Sequence, residues 1–228
     1  MEARAGEVIG LAGLEGSGQR LFMRACAGLI RPASGRVLIG DRDVTYRPYR
    51  DHLAEGIAYL PAGRLEEGLI PGLTIREHVV LARRGPQPFF INWPEADREA
   101  QSRIRTYQIR GEPSTPVEAL SGGNQQRTLL ALLPPALRLL FLEHPTRGLD
   151  IESTMWVWEQ LLHRREEGTT IFFTSSDLDE LMAWSDRIMV FFGGRVLATL
   201  TTKETTVEQL GYLIGGKEPV PRRGGSDR

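Results

Sequence analysis

The sequence predicts an α/β fold with a mostly parallel sheet, and three observations carry that prediction. Short apolar runs rich in strand formers alternate with helical periodicity along most of the 228 residues. The first such run, residues 7–12, passes directly into a glycine-rich loop and a helix, the strand–loop–helix unit in which backbone N–H groups cradle phosphate. From about residue 73 to 133 the strand pattern stops and helical periodicity takes over, setting that stretch apart from the sheet-forming parts on either side.

Composition narrows the class. With 28 basic and 29 acidic residues there is no global field to attract nucleic acid, and none is expected as a partner. One cysteine, Cys26, excludes a disulfide framework, fits a reducing compartment and is expected to fill space in a helix. No signal-peptide pattern or apolar run of membrane-spanning length is present, so work at a membrane would proceed by docking on partners.

In chain order, strand 7–12 leads into the loop Gly13, Gly16, Ser17, Gly18, Gln19, Arg20, with a helix to about residue 28. The spacing is that of GxxxxGK[ST], but Gln19 stands at the lysine and Arg20 at the magnesium-binding hydroxyl. A neutral amide donates a hydrogen bond but cannot follow moving phosphate charge. One residue further along a helix turns a side chain by roughly 100°, so Arg20 is expected to point away from phosphate. All six loop residues are nucleotide-contact candidates, with backbone N–H groups carrying most of the binding.

Residues 36–40 read as a strand that 41–44 continue, 50–55 as a short helix ended by Gly56, and 57–60 as a buried strand followed by Pro61 and Ala62. Thr74 caps the next helix, where His78 is expected on an exposed or partly buried face. An aromatic, proline-punctuated loop follows, whose Phe89, Phe90 and Trp93 are expected to form a small local core, and then a charged helix over 95–108. Residues 139–142 form an apolar strand ending in Glu143 and His144; 151–167 a helix; 169–174 a strand running into Ser175, Ser176 and a helix start with a capping pattern over 175–181. Residues 186–192 and 195–198 make a hairpin, 206–214 a last helix, and 217–228 has the composition of a disordered tail or expression remnant.

The stretch that orders the rest is Leu120, Ser121, Gly122, Gly123, Asn124, Gln125, at the head of a helix. A serine and two glycines there place a hydroxyl and unpaired N–H groups at the positive end of the dipole, an anion receptor, although Ser-Gly-Gly alone would also serve as an ordinary cap. Some twenty residues later come Pro145, Thr146, Arg147, Gly148, Leu149 and Asp150.

The string LSGGNQQ resembles the signature motif of ABC-type ATPases, and PTRGLD the segment that leads into their D-loop. With the loop spacing, the Ser175–Leu181 junction and the Asp186 hairpin in family order, the resemblance covers almost the whole chain. The combination of LSGGNQQ with PTRGLD, and of a glutamine at position 19 in place of the lysine, most resembles the C-terminal ATPase half of bacterial importers for simple sugars and nucleosides, a half that is often degenerate. This resemblance implies a P-loop NTPase (RecA-like) core over 1–72 and 134–216, an inserted helical subdomain over 73–133, and a partly missing N-terminal β region with an incomplete adenine site.

It further implies ATP and Mg²⁺ as cofactors, mainly at a partner's site, because ABC domains pair head to tail with each ATP between one P-loop and the other domain's signature. Implied partners are a second ATPase domain, transmembrane permease subunits and, indirectly, a solute-binding protein, at the cytoplasmic face of the plasma membrane. On the P-loop side, Gln19, Arg20, Ala62 at the Q-loop, the Glu143–His144 pair at Walker B and Ser176 at the switch histidine all depart from the family pattern, and Glu143 is the one candidate for metal. Ser121, Gly122, Gly123 and Asp150 are intact. No catalysis in cis is therefore expected, only donation in trans. A regulatory pseudo-ATPase is the rival; a non-transport ABC protein would need a coiled-coil insertion or basic linkers that the sequence does not contain.

Overall fold

The computed structural model describes residues 1–85 and 89–217; most of the expected tail therefore lies outside the described residues. β1 (Val8–Ala12), β4 (Ile57–Leu60), β5 (Leu139–Glu143), β6 (Thr170–Thr174), β7 (Arg187–Phe192) and β8 (Arg195–Thr201) form one sheet in the order β4-β5-β6-β1-β7-β8. Every neighbouring pair is parallel except β7 and β8, which close the edge as an antiparallel hairpin.

A parallel sheet needs cover on both faces, and β1 shows how the sequence supplies it: all five of its residues are buried. Val8 and Ala12 face the larger core beneath α6 (Ile151–Glu166) and α7 (Leu178–Trp184). Ile9 and Leu11 face a second core with Met23 of α1 (Gln19–Cys26), Phe141 and Phe172. The period of two thus divides one short strand between two cores. In the larger core Trp158 stacks on Trp184 at 5.0 Å and meets Phe173 edge-on at 4.8 Å. Each such buried aromatic contributes about 2–3 kcal/mol of apolar burial.

Outside the sheet, α3 (Ile75–Leu81), α4 (Trp93–Thr106) and α5 (Gly122–Leu132) pack on one another. Thr74 forms a full capping box with Glu77 at the start of α3, and Asn92 caps α4 ahead of Pro94. α2 (Tyr49–Ala54) lies against β4, and α8 (Val207–Ile214) against β7.

Three local expectations are corrected. Residues 41–44 do not continue the strand before them: the chain reverses at Gly40, φ 59°, and β2 (Leu38–Ile39) pairs antiparallel with β3 (Arg42–Asp43). His78 is buried, because both ring nitrogens find backbone partners: Nδ1 lies 2.8 Å from the Thr74 carbonyl, and Nε2 accepts the Ile70 N–H at 2.8 Å. That pair of contacts fixes the orientation of the ring and offsets the cost of burying its polar atoms. Phe89 and Phe90 form no local core; they are 94% and 81% exposed and pack edge-on to each other at 5.0 Å, while Trp93 sits under the Arg76 guanidinium. Nothing among the described residues lies over that pair to shield it from water.

β1, β5 and β6 are in register at their carboxyl ends, where Leu11 and Glu143 both align with Thr174. The glycine loop, Glu143 and Ser175–Ser176 therefore leave the sheet side by side, at the edge where open α/β sheets bind ligands.

Candidate nucleotide site and signature face

Gly13, Gly16 and Gly18 all take positive φ (151°, 82° and 115°), which a Cβ would resist, and the loop is pinned by Ser17 N–H to the Leu14 carbonyl (3.0 Å) and Gly194 N–H to the Ser17 carbonyl (3.1 Å). α1 starts at Gly18 with no side-chain cap and no acid in its first turn, so its N–H groups and dipole remain available to an anion. Gln19 is buried and folds back into the loop; its Nε2 donates to the Leu14 carbonyl at 3.4 Å, in the space a Cβ on Gly13 would need.

Arg20 leaves the other side of the helix and runs to the end of β5. Its Nε donates to Glu143 Oε1 at 2.9 Å, and its Nη2 donates to Glu67. The same Glu143 Oε1 accepts the Tyr59 hydroxyl, and Oε2 accepts the Ala62 N–H at 3.2 Å. Glu143 is 4% exposed, so these donors stand in for the water its carboxylate gives up on burial. The hydrogen bond to Glu67, reinforced by Glu143, holds the Arg20 guanidinium above its ordinary value; burial, then the bond to Glu143, pushes Tyr59 up. Both donors thus keep their protons. Ala62, which has no side-chain chemistry, takes part through its backbone.

At α5, Ser121 is exposed and is the N-cap: its Oγ accepts the Asn124 N–H at 3.4 Å and Asn124 Nδ2 at 2.8 Å. Those bonds use the two lone pairs, and the hydroxyl proton is left for another acceptor. The N–H groups of Gly122 and Gly123 belong to the first turn and have no partner within the helix. Asn124 Oδ1 accepts the Arg110 N–H at 2.7 Å, and the buried Gln125 donates to the Leu120 and Val117 carbonyls at 3.1 and 3.3 Å. Leu120, itself buried, and Gln125 thus anchor the helix start rather than face outward.

Gly123 is required by proximity: a Cβ there would lie 2.7 Å from Ser153 Oγ, which donates to Asp150 at 3.1 Å. Asp150 caps α6 through the Ser153 N–H at 2.8 Å; that bond first, then the hydroxyl, lowers its carboxyl below the ordinary range. Arg64 Nε donates to Gln126 at 3.1 Å and its Nη2 to the Arg147 carbonyl, while Arg127 lies 3.9 Å over the Trp156 ring. Thr146 Oγ1 donates to Glu180 at 2.5 Å, and Glu180 also accepts the Trp158 indole N–H at 2.9 Å. The signature helix and the segment before Asp150 are one braced unit.

A family description for ABC transporters matches residues 1–147. The chain belongs to the ABC transporter family. Among curated relatives, the guanosine import ATP-binding protein NupO of Bacillus subtilis is 32% identical over 95% of this chain and 44% of its own length. The ribose import ATP-binding protein RbsA of Streptococcus agalactiae is 34% identical over 94% of this chain and 44% of its own. The chain thus spans less than half the length of these relatives. Among solved structures, the ATP-binding subunit of an ABC transporter superposes with TM-score 0.75 at 21% identity, covering 94% of this chain and 90% of that one. CbiO1 from Clostridium perfringens superposes with TM-score 0.72 at 24% identity, covering 93% and 84%. These likenesses show that the fold is that of ABC ATPase cassettes.

ABC ATPase domains bind ATP, usually with Mg²⁺, and the residues at this chain's own loop do not fit the metal. The hydroxyl that would ligate it is replaced by Arg20, and the Glu143 carboxylate is already taken by a guanidinium, a phenol and a backbone N–H. Among the described residues no cluster of His, Cys, Asp or Glu side chains could hold a metal. His144 has φ 45°, and burial, then Arg147, lowers its pKa and favours the neutral ring. Ser176 is exposed just beyond β6.

Tyr59, Glu67 and Arg64 were not legible as site residues. Tyr59 is visible as the one polar group in strand 57–60, but Glu67 and Arg64 sit on the irregular turn Arg64–Gly68, and nothing in the sequence says which way such a turn faces.

Proposed function

We propose that this domain is the ATP-binding half of an ABC importer for simple sugars or nucleosides, which does not hydrolyse ATP at its own loop. It instead donates Ser121, the Gly122 and Gly123 N–H groups and the α5 dipole to ATP held by a complete partner ATPase domain, with Asp150 beside them at the dimer seam. The carrying observation is the contrast between Glu143, consumed by Arg20, and Ser121, exposed with its proton unspent. Oriented N–H and O–H donors stabilise γ-phosphate charge without a carboxylate of their own. The names of the curated relatives support the cargo class.

The division into a core over 1–72 and 134–216 and a helical part over 73–133 belongs to this reading. So do peripheral attachment at the cytoplasmic face, permease subunits as membrane partners and a solute-binding protein acting through them. No helix among the described residues is long and apolar enough to cross a membrane. The exposed Phe89–Phe90 pair offers an apolar anchor that a permease would cover. Phosphate release is the test. The isolated domain should show no turnover above background, and pairing with a complete ATPase domain should restore it; ordinary ATPase rates from the domain alone would sink the proposal.

A further inference from the structure

Two carboxylates from distant parts of the chain, Glu143 at the end of β5 and Glu67 on the turn Arg64–Gly68, converge on one guanidinium. Arg20 donates Nε to the first and Nη2 to the second, and Arg24 Nη1 stands 3.9 Å from Glu67. Two acids are thereby matched by two arginines, and the cluster is neutral with no cation added. A divalent ion entering at Glu143 would have to displace Arg20 or sit beside its positive charge, and it would find no hydroxyl ligand at position 20. One residue therefore removes a metal ligand and installs a competitor for the other.

We propose that the Arg20 guanidinium takes the divalent cation's place at this chain's own loop: Glu143 receives an internal counter-charge, and the loop recruits no Mg²⁺. A polyphosphate in the glycine loop then meets the α1 N–H groups with no divalent ion beside them, and its retention is independent of metal. This concerns the chain's own loop alone and would stand even if the signature face proved idle.

The test reads bound Mn²⁺ by electron paramagnetic resonance on the full chain, with and without ATP, and needs no partner and no turnover. Wild type should bind no Mn²⁺ beyond the amount ATP complexes in buffer. Gln19→Lys/Arg20→Thr, which restores the lysine and hydroxyl and releases Glu143, should gain at least tenfold in Mn²⁺ affinity in the presence of ATP. Gln19→Lys alone, with Arg20 in place, should gain none. Micromolar Mn²⁺ binding at the loop of wild type, abolished by Glu143→Gln, would overturn the proposal. So would a folded double variant, verified by circular dichroism, that gains nothing. Should the double variant unfold, Arg20→Lys decides: a point charge without the fork should loosen the grip on Glu143 and admit Mn²⁺ weakly, and undiminished exclusion together with an intact fold would count against the guanidinium as the excluding group.

Discussion

The glycine loop and the signature helix are both helix N-termini suited to anions, yet they use their polar groups in opposite ways. Around the loop the side chains satisfy one another: Gln19 bonds the Leu14 carbonyl, and Arg20, Tyr59 and the Ala62 N–H bond Glu143. At α5 the supporting bonds lie behind the first turn, through Gln125, Gln126 and Arg64, and the groups in front of it stay open. A site that has closed on itself has little left to offer a ligand, whereas a site braced from behind is preorganised toward whatever approaches its open face.

The comparison breaks most easily at Ser121. Ser121→Asp keeps an N-cap but puts negative charge against the incoming phosphate, so turnover of the paired assembly should fall by at least about 10²-fold with the melting temperature almost unchanged. Gln19→Ala, on the loop side, should leave paired turnover within about twofold. If the two variants act alike, the contrast between the regions is wrong.

Stability sharpens it next. Arg20→Ala leaves the buried Glu143 carboxylate without its counter-charge, held only by the Tyr59 hydroxyl and the Ala62 N–H, and should cost about 3 kcal/mol in urea denaturation. Glu143→Gln leaves Arg20 its bond to Glu67 and a half-exposed side chain that can turn to water, and should cost less, about 1–2 kcal/mol. A reversed order would mean that the loop side does not depend on that pair.

Gly123→Ala should push Ser153 off Asp150 and lower paired turnover by about tenfold while stability changes by less than about 1 kcal/mol. The smallest effect is pH-dependent. The folded state lowers the His144 pKa below its ordinary 6.5, so the unfolded chain takes up the proton more readily. The stability that this neutral ring supplies is full above pH 6.5 and is lost as pH falls below it. Part of the decline of the urea midpoint in that window should disappear in His144→Asn, a residue suited to the positive φ at that position.

Much of the fold was legible because burial wrote it into local pattern. Residues 57–60 and 139–142 had no reading but buried strand, and Thr74 and Thr206 announced the helices they cap. The errors fell at the chain reversal at Gly40 and where burial depends on what surrounds a side chain. His78 read as exposed or partly buried because the N–H that helps seat it in the core comes from a neighbouring loop, and the carbonyl from the start of its own helix. Phe89 and Phe90 looked like core because apolar content was read as burial, while exposure depends on what packs above them.

By itself, the sequence determined the order of elements, the left-handed glycines of the loop, the serine and glycines at the start of α5, and the loss of lysine, hydroxyl and aspartate from the phosphate side. Those are properties of residue type and spacing, set by backbone sterics and by the period of each element. Only the tertiary structure decided where Arg20 goes. Whether that guanidinium faces solvent, phosphate or Glu143 depends on β5 ending beside α1 and on Tyr59 and Ala62 arriving from β4 and its loop, positions fixed by strand pairing between segments far apart in the chain.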